Sequence, residues 1–175
     1  MFGRRNMDKV RIILKDGREI PLELYAESAP ETVRNFLSLV DNGFYNGLCF
    51  HRVIDGFMIQ GGGFTAEKDG SIKEKGGLKP IKGEFAYNGV NNPVKHTEGV
   101  ISMARTQVMN SATSQFFICV ADCRGLDGQY AAFGRITDEK GLETAKSIAK
   151  VKTKRWGWYD DIPVEPVVID KIVRD

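Results

Sequence analysis

The chain has 175 residues, 42% of them hydrophobic and 27% charged, and its formal net charge is +2. This length fits one domain whose hydrophobic core needs no disulfide or metal to hold it together. The small net charge argues against nucleic acid or an anionic membrane as a partner, because proteins that bind them usually carry a dense basic stripe.

The first predicted element is a β-hairpin. Val10, Ile12 and Leu14 recur at every second position, and residues 19–24 alternate again after a break at Asp16-Gly17. A glycine in the turn tolerates the positive φ that tight hairpins need. We therefore expect two antiparallel strands at the start of the domain.

An amphipathic helix is predicted next. Ser28 and Glu31 have the spacing of a capping box, and Pro30 suits the first helical turn. The apolar residues then follow at helical spacing: Val33, Phe36, Leu37 and Val40. A helix of about four turns that ends at Gly43 is expected.

The middle of the chain predicts strands separated by long loops. Residues 48–65 are typical of two strands joined at Asp55-Gly56, and the glycines at 61–63 allow a sharp bend. Residues 66–98 contain many glycines and little periodicity, so they predict long ordered loops. Such loops are often functional, which makes this stretch a candidate rim of a binding groove.

The remaining elements complete a mainly β pattern. Short strands are predicted at residues 100–104, 115–121, 131–136 and 167–173. The spacing of Leu142, Ala145 and either Ile148 or Ala149 predicts a second amphipathic helix. The even strand spacing and glycine-rich turns favour a closed antiparallel barrel capped by two helices. We place a single domain at residues 9–175, after an N-terminal extension at residues 1–8.

Cysteine usage and hydropathy suggest a cytoplasmic protein. The three cysteines, Cys49, Cys119 and Cys123, are odd in number and lack metal-site spacing, so buried or idle thiols in a reducing compartment are the simplest interpretation. A regulatory disulfide between Cys119 and Cys123 is the alternative. No secretory signal and no membrane span of roughly 18 apolar residues is evident. We expect no metal and no cofactor.

Residues 50–65 carry the most chemical information. They combine a cation (Arg52), an amide (Gln60) and large apolar side chains (Phe57 and Met58) with no obvious nucleophile or metal ligand. A site that is both apolar and cationic suits a reaction without covalent chemistry, such as rotation about a peptide bond.

This stretch resembles the signature of cyclophilins, a class of peptidyl-prolyl cis/trans isomerases. Further segments follow in the family's order and spacing: residues 99–105, 114–119, 126–128 and 133–134. The resemblance covers about residues 9–174. It implies a closed antiparallel eight-stranded β-barrel capped by two α-helices, in agreement with the strand pattern.

The resemblance also implies the roles of ten residues. Arg52 is the catalytic donor to the prolyl nitrogen, and its permanent charge and rigid set of N–H groups suit that task. Gln60 orients Arg52 or holds the substrate backbone. The substrate-binding residues are Phe57, Met58, Ala104, Arg105, Gln115, Phe117, Leu126 and Tyr130. Among them, Ala104 and Arg105 match the segment whose backbone pairs with a bound peptide.

Strand alternation separates neighbouring side chains. Phe116 and Phe117 must point to opposite faces, and the family register assigns Phe117 to the pocket. The same rule turns His51 away from the pocket that contains Arg52, as a packed and hydrogen-bonded imidazole. Neither His51 nor His96 has the sequence spacing of a metal ligand or a catalytic triad.

Three positions depart from the eukaryotic members of the family. Gly125 replaces a tryptophan, Tyr130 replaces a pocket histidine, and Arg105 replaces an asparagine. The tryptophan is associated with tight cyclosporin binding, so the resemblance implies weak binding here. The first two changes resemble bacterial cyclophilins and favour a bacterial origin.

The aromatic residues of the stretch 156–159 belong to no predicted strand or helix. Such a cluster usually packs onto its own domain, although binding to a partner is an alternative.

The sequence thus predicts a monomeric cytoplasmic isomerase that binds X-Pro segments of proline-containing polypeptides and assists their folding. A proline-peptide binding module or chaperone, in which turnover is incidental, is the rival from another class. A hydrolase or metal enzyme is disfavoured, because no nucleophile–base pair and no ligand cluster is evident.

Overall fold

A computed structural model describes residues 7–175. The predicted N-terminal extension, residues 1–8, falls largely outside the described residues, and Asp8 is already the first residue of a strand. The position of the domain boundary therefore stays a prediction.

The described residues form eleven strands and two helices. The strands are β1 (Asp8–Leu14), β2 (Glu19–Leu24), β3 (Cys49–Ile54), β4 (Met58–Ala66), β5 (Ile72–Glu74), β6 (Val100–Met103), β7 (Phe116–Cys119), β8 (Ala132–Ile136), β9 (Thr153–Trp156), β10 (Tyr159–Pro163) and β11 (Ile169–Arg174). The helices are α1 (Pro30–Asp41) and α2 (Glu139–Ala149). Neither is long and apolar enough to cross a membrane.

Eight of the strands form one antiparallel, curled sheet in the order β11-β1-β2-β8-β6-β7-β4-β3, and β5 adds to β4. The two ends of this order, β3 and β11, meet at the single bridge between Cys49 and Val168 and at the hydrogen bonds beside it. The predicted mainly β fold with two helices is confirmed. The sheet is less closed than predicted, because β3 and β11 are not paired along their length.

Helix α1 packs one aromatic side chain, Phe36, into a cluster of buried aromatic rings. Phe36 is fully buried, and its ring centroid lies 5.3 Å from that of Tyr45, 5.9 Å from that of Phe116 and 5.2 Å from that of Phe133. Phe36 belongs to the predicted apolar face of the helix, and all four residues of that face are buried. These side chains belong to the main hydrophobic core, which supports the inner face of the sheet.

The predicted capping box is wrong. The N-cap of α1 is Ala29, which offers no side-chain hydrogen bond. The predicted stop at Gly43 is confirmed: Asp41 is the last helical residue, Asn42 is the C-cap, and Gly43 follows with φ +70°. The carboxylate of Glu84, from the long loop after β5, instead accepts hydrogen bonds from the backbone N–H and the hydroxyl of Thr32, both at 2.6 Å. Glu84 satisfies the free N–H groups at the helix start, a task that capping side chains usually perform locally.

The hairpin of β9 and β10 is not among the predicted strands. Trp156 pairs with Tyr159, which leaves a two-residue turn of Gly157 and Trp158, and Gly157 has φ +59°. A glycine suits that first turn position because it adopts positive φ without strain. The aromatic cluster predicted from sequence is thus the tip of a hairpin.

Candidate active site

One cavity of about 560 Å³ opens between β3, β4 and β7 and the segments that follow β6 and β7. All ten candidate site residues line it: Arg52, Phe57, Met58, Gln60, Ala104, Arg105, Gln115, Phe117, Leu126 and Tyr130. They come from five separate parts of the chain. The structure therefore brings the candidates together, while the role of each stays a prediction.

Arg52 and Gln60 are a register pair of β3 and β4. Nη1 of Arg52 donates a long hydrogen bond of 3.5 Å to Oε1 of Gln60, whose Nε2 donates to Oε1 of Gln115 at 3.0 Å. No carboxylate among residues 7–175 lies within ion-pair distance of Arg52. Its exposed guanidinium therefore offers an unpaired positive charge and several free N–H groups to a ligand.

The floor of the cavity beside Arg52 is apolar. Met58 is 2% exposed and Phe117 5% exposed, and the edge of Phe117 meets the ring of Tyr130 at a centroid distance of 5.6 Å. Phe116, the neighbour of Phe117, lies in the main core, as alternation along β7 requires. A small ring such as that of proline gains free energy when it is buried against such a surface.

A buried polar chain that the sequence analysis missed lies beneath Phe117. The imidazole of His96 stacks on Phe117 at 5.9 Å; its Nδ1 is 2.9 Å from a carboxylate oxygen of Asp127, and its Nε2 is 2.9 Å from the hydroxyl of Ser102. Burial lowers the pKa of His96, and Asp127 partly opposes that effect. Ser102 and His96 are both 0% exposed, so this Ser–His–Asp chain cannot reach a substrate and instead supports the floor.

Arg105 is fixed along one side of the cavity. Its guanidinium donates to the carbonyl of Gln129 at 2.7 and 3.0 Å and lies 4.8 Å from the ring centroids of both Phe85 and Tyr130. The backbone N–H of Arg105 has no partner among the described residues, whereas the N–H of Ala104 donates to the carbonyl of Gln115. The guanidinium of Arg105, held by the Gln129 carbonyl, packs against the ring of Tyr130.

His51 does not face away from the cavity as alternation predicted; it lines the same cavity as Arg52. The pairing of β3 with β4 shifts register between Phe50 and Arg52, and such a bulge breaks the alternation of side chains. The ring of His51 packs on Phe64 at 4.4 Å, yet its buried Nδ1 has no hydrogen-bond partner among residues 7–175. Burial and the nearby Arg52 lower the pKa of His51 to about 4.

A second wall of this cavity was not predicted. It consists of Phe64, Glu74, Trp158, Tyr159, Asp160 and Asp161. The long loops of residues 66–98, expected to form the rim, contribute only Glu74. The aromatic cluster does not pack wholly onto its own domain, because Trp158 is 93% exposed. Gly157 between two tryptophans was the sequence signal that could have identified the hairpin.

The cysteines are not placed as reactive groups. All three are buried free thiols, and burial raises the pKa of Cys49 to about 11 and that of Cys119 still further. Thiolates are the reactive form, so burial lowers the reactivity of these thiols at neutral pH. Among residues 7–175, no three His, Cys, Asp or Glu side chains are grouped to hold a metal ion.

Comparisons with known proteins agree with this geometry. Residues 9–174 match the family model described as cyclophilin type peptidyl-prolyl cis-trans isomerase/CLD. The chain is 48% identical over 162 residues to peptidyl-prolyl cis-trans isomerase A of Dickeya dadantii, covering 89% of this chain and 80% of that protein. It is 42% identical over 162 residues to peptidyl-prolyl cis-trans isomerase B of Escherichia coli, covering 88% and 92%.

Solved structures show the same similarity. A crystal structure of a cyclophilin type peptidyl-prolyl cis-trans isomerase from Cryptosporidium parvum superposes with a TM-score of 0.77 at 29% identity, covering 97% of this chain and 98% of that chain. The crystal structure of that protein in the presence of the dipeptide Ala-Pro gives a TM-score of 0.75, also at 29% identity, and covers 95% and 98%.

Proposed function

The chain belongs to the family of cyclophilin-type peptidyl-prolyl cis-trans isomerases, and from this premise we propose that the cavity around Arg52 binds an X-Pro segment and that Arg52 accelerates rotation about its prolyl bond. The observation that carries the proposal is the unpaired guanidinium of Arg52 beside the apolar floor of Met58 and Phe117.

The chemical task is to weaken amide resonance. The prolyl bond prefers trans by only about 0.5–1 kcal/mol, yet it rotates slowly because its partial double-bond character must be lost. A donor placed against the prolyl nitrogen stabilises the deconjugated amide of the transition state, and apolar surroundings strengthen that interaction by excluding water. Arg52 supplies the donor without any change of its protonation state.

The other residues hold the substrate and the donor in place. The proline ring packs against five side chains: Phe57, Met58, Phe117, Leu126 and Tyr130. Gln60 accepts from Arg52 and thereby restricts its guanidinium. The free backbone N–H of Arg105 supports pairing with the peptide by strand addition, which requires an unused donor at the edge. Ala104 and Gln115 line the adjoining part of the groove.

The test is exchange NMR of a short X-Pro peptide with catalytic amounts of the protein. We expect the wild type to accelerate exchange and Arg52→Ala to reduce kcat/KM by about 10²- to 10³-fold, the usual cost of removing one preorganised donor. Arg34→Ala is the matched control, because Arg34 is exposed on α1 outside the cavity. Equal losses of turnover and peptide affinity in Arg52→Ala would contradict the assignment of Arg52 to the transition state.

The rival assignment is a proline-peptide binding module in which turnover is incidental. It predicts that the wild type binds the peptide without accelerating exchange, an outcome that would defeat the proposed mechanism. The presence of both Arg52 and Gln60 favours the enzyme, because binding alone would tolerate their loss.

The natural substrates we propose are flexible or unfolded proline-containing polypeptides, whose slow prolyl isomerisation limits folding. Cyclosporin binding should be weak, because Gly125 presents no aromatic side chain at the position of the family's tryptophan. We assign the protein to the cytoplasm, which suits its three free thiols, and expect it to act as a monomer.

A further inference from the structure

The second wall of the cavity has no part in the proposed isomerisation. It continues beyond Arg52 as the hairpin of β9 and β10 together with Phe64 and Glu74, which are a register pair of β4 and β5. Phe64 belongs to a small hydrophobic cluster distinct from that of Met58 and Phe117. The cavity therefore joins two separate surfaces, and the prolyl ring occupies only the first.

The second wall is negatively charged. Glu74, Asp160 and Asp161 all line it. Asp160 has a loose ion pair with Arg155 at 3.5 Å between two side chains that are each 66% exposed, whereas no lysine or arginine among residues 7–175 lies within ion-pair distance of Glu74 or Asp161. Two carboxylates thus remain uncompensated in a partly enclosed space.

Aromatic faces accompany these carboxylates. The rings of Trp156 and Tyr159 stack at 6.2 Å, Tyr159 meets Phe64 at 5.5 Å, and the neighbouring Trp158 is 93% exposed. So large an exposed indole at a cavity mouth is unusual, because tryptophan is enriched where it will be covered by a partner. Aromatic faces and carboxylates together favour a cation with an apolar stem.

His51 provides an independent sign that a ligand belongs here. It lines the same cavity and is 5% exposed, and its buried Nδ1 has no hydrogen-bond partner in the part of the chain that the structure describes. Buried polar atoms are nearly always paired, so an orphan atom requires an explanation, and a bound substrate group is one. Because its pKa is lowered to about 4, His51 is neutral at physiological pH and does not repel a cation.

We infer that the β9–β10 hairpin forms an outer subsite, bounded by Glu74, Trp158 and Asp161, which binds a lysine or arginine side chain of the polypeptide close to the isomerised proline. This inference rests on the proposed function, since the prolyl segment must already occupy the first surface. The subsite makes the enzyme selective among X-Pro segments without contributing to bond rotation.

The test compares hexapeptides with one Ala-Pro bond and with Lys, Gln or Glu at one flanking position at a time. Exchange NMR at low salt gives kcat/KM for each. For at least one flanking position, we expect kcat/KM of the Lys peptide to exceed that of the Glu peptide by roughly three- to tenfold. Lys is attracted by the carboxylates of the subsite and Glu is repelled by them, and exposed charges interact with about this strength. The ratio should fall as salt screens the charges.

Two variants assign the preference to the subsite. Asp161→Asn removes the charge but keeps a side chain that tolerates the φ of +62° at this position; it should move the Lys/Glu ratio towards one, and Glu74→Gln should do the same. The control is Glu165→Gln, an exposed carboxylate that does not line the cavity, and it should keep the wild-type ratio.

The outcomes are distinct. Equal kcat/KM for all three side chains, or a Lys/Glu ratio unchanged in Asp161→Asn, would overturn the outer subsite and leave the isomerase intact. A wild type that accelerates none of the peptides would instead overturn the proposed function.

Discussion

Arg52 and Gln60 face each other across β3 and β4, and the amide oxygen of Gln60 accepts a hydrogen bond from the guanidinium. A guanidinium has no acceptor, so this contact directs the amide oxygen of Gln60 towards Arg52 and leaves its NH₂ group to donate to Gln115. The orientation of the proposed catalytic donor therefore depends on a chain of three side chains.

The first prediction concerns this coupling. Gln60→Ala should lower kcat/KM about tenfold, less than Arg52→Ala, because it frees the guanidinium without removing it. In the double variant the two losses should not add, since Gln60 acts through Arg52. Exchange NMR on the wild type, the two single variants and the double variant measures this double-mutant cycle. Fully additive losses would mean that Gln60 contacts the substrate independently.

Arg105 offers a second prediction. Arg105→Lys keeps the charge but loses the two hydrogen bonds to the Gln129 carbonyl and the planar contact with Tyr130. We expect KM to rise a few-fold with a smaller change in kcat, because the pocket wall loosens while Arg52 is untouched. Lys152→Arg, at an exposed position outside the cavity, is the control. An unchanged KM would show that Tyr130 is held by other contacts.

The third prediction concerns the cap of α1. Glu84→Ala should reduce the free energy of unfolding by about 1–3 kcal/mol, because it leaves the buried N–H and hydroxyl of Thr32 without their acceptor. Ser28→Ala is the matched control, since Ser28 was the predicted cap and makes no such bond. It should stay within about 0.5 kcal/mol of the wild type in urea unfolding. A larger loss of stability in Ser28→Ala than in Glu84→Ala would show that Ser28 caps the helix, as the capping box predicted.

The fourth prediction is a pH dependence of stability. The pKa of His51 is lowered in the folded state to about 4, so below about pH 6.5 the unfolded chain binds a proton that the folded chain does not. The free energy of unfolding should therefore decrease by about 3 kcal/mol from this group between about pH 7 and pH 4. His96, whose pKa is also lowered, acts in the same direction.

Urea unfolding of His51→Phe across this pH range checks the effect. The aromatic replacement removes the titration and the unpartnered nitrogen, so the decrease should become shallower while the His96 contribution remains. A wild-type slope in this variant would show that His51 is not the group responsible.

Part of the fold and site followed from local patterns. The β1–β2 hairpin and the buried face of α1 were confirmed, because alternation and helical spacing are decided by which residues must be buried. Arg52 and Gln60 belong to one predicted strand–turn–strand unit, so their proximity needed only a hairpin across Asp55-Gly56. In each of these cases the partners lie close together in the chain.

Other features depended on residues far apart in sequence. Glu84 and Thr32 are 52 positions apart, and the Ser102–His96–Asp127 chain joins three loops and strands. The orientation of His51 was predicted wrongly for a different reason: a bulge in β3 breaks the alternation of side chains, so His51 lies on the same side as Arg52. The β9–β10 hairpin was missed because most of its residues are polar or exposed and show no hydrophobic periodicity.

The sequence by itself determined the β-rich domain, the family resemblance and the choice of the ten candidate site residues, because all of these depend on residue type and local spacing. Only the tertiary structure decided that these ten residues share a cavity with Glu74, Trp158 and Asp161, that Glu84 caps α1, and that His51 faces the site. Those contacts form where strands and loops from distant parts of the chain come together, and the local conformational preferences of the residues do not specify such long-range contacts.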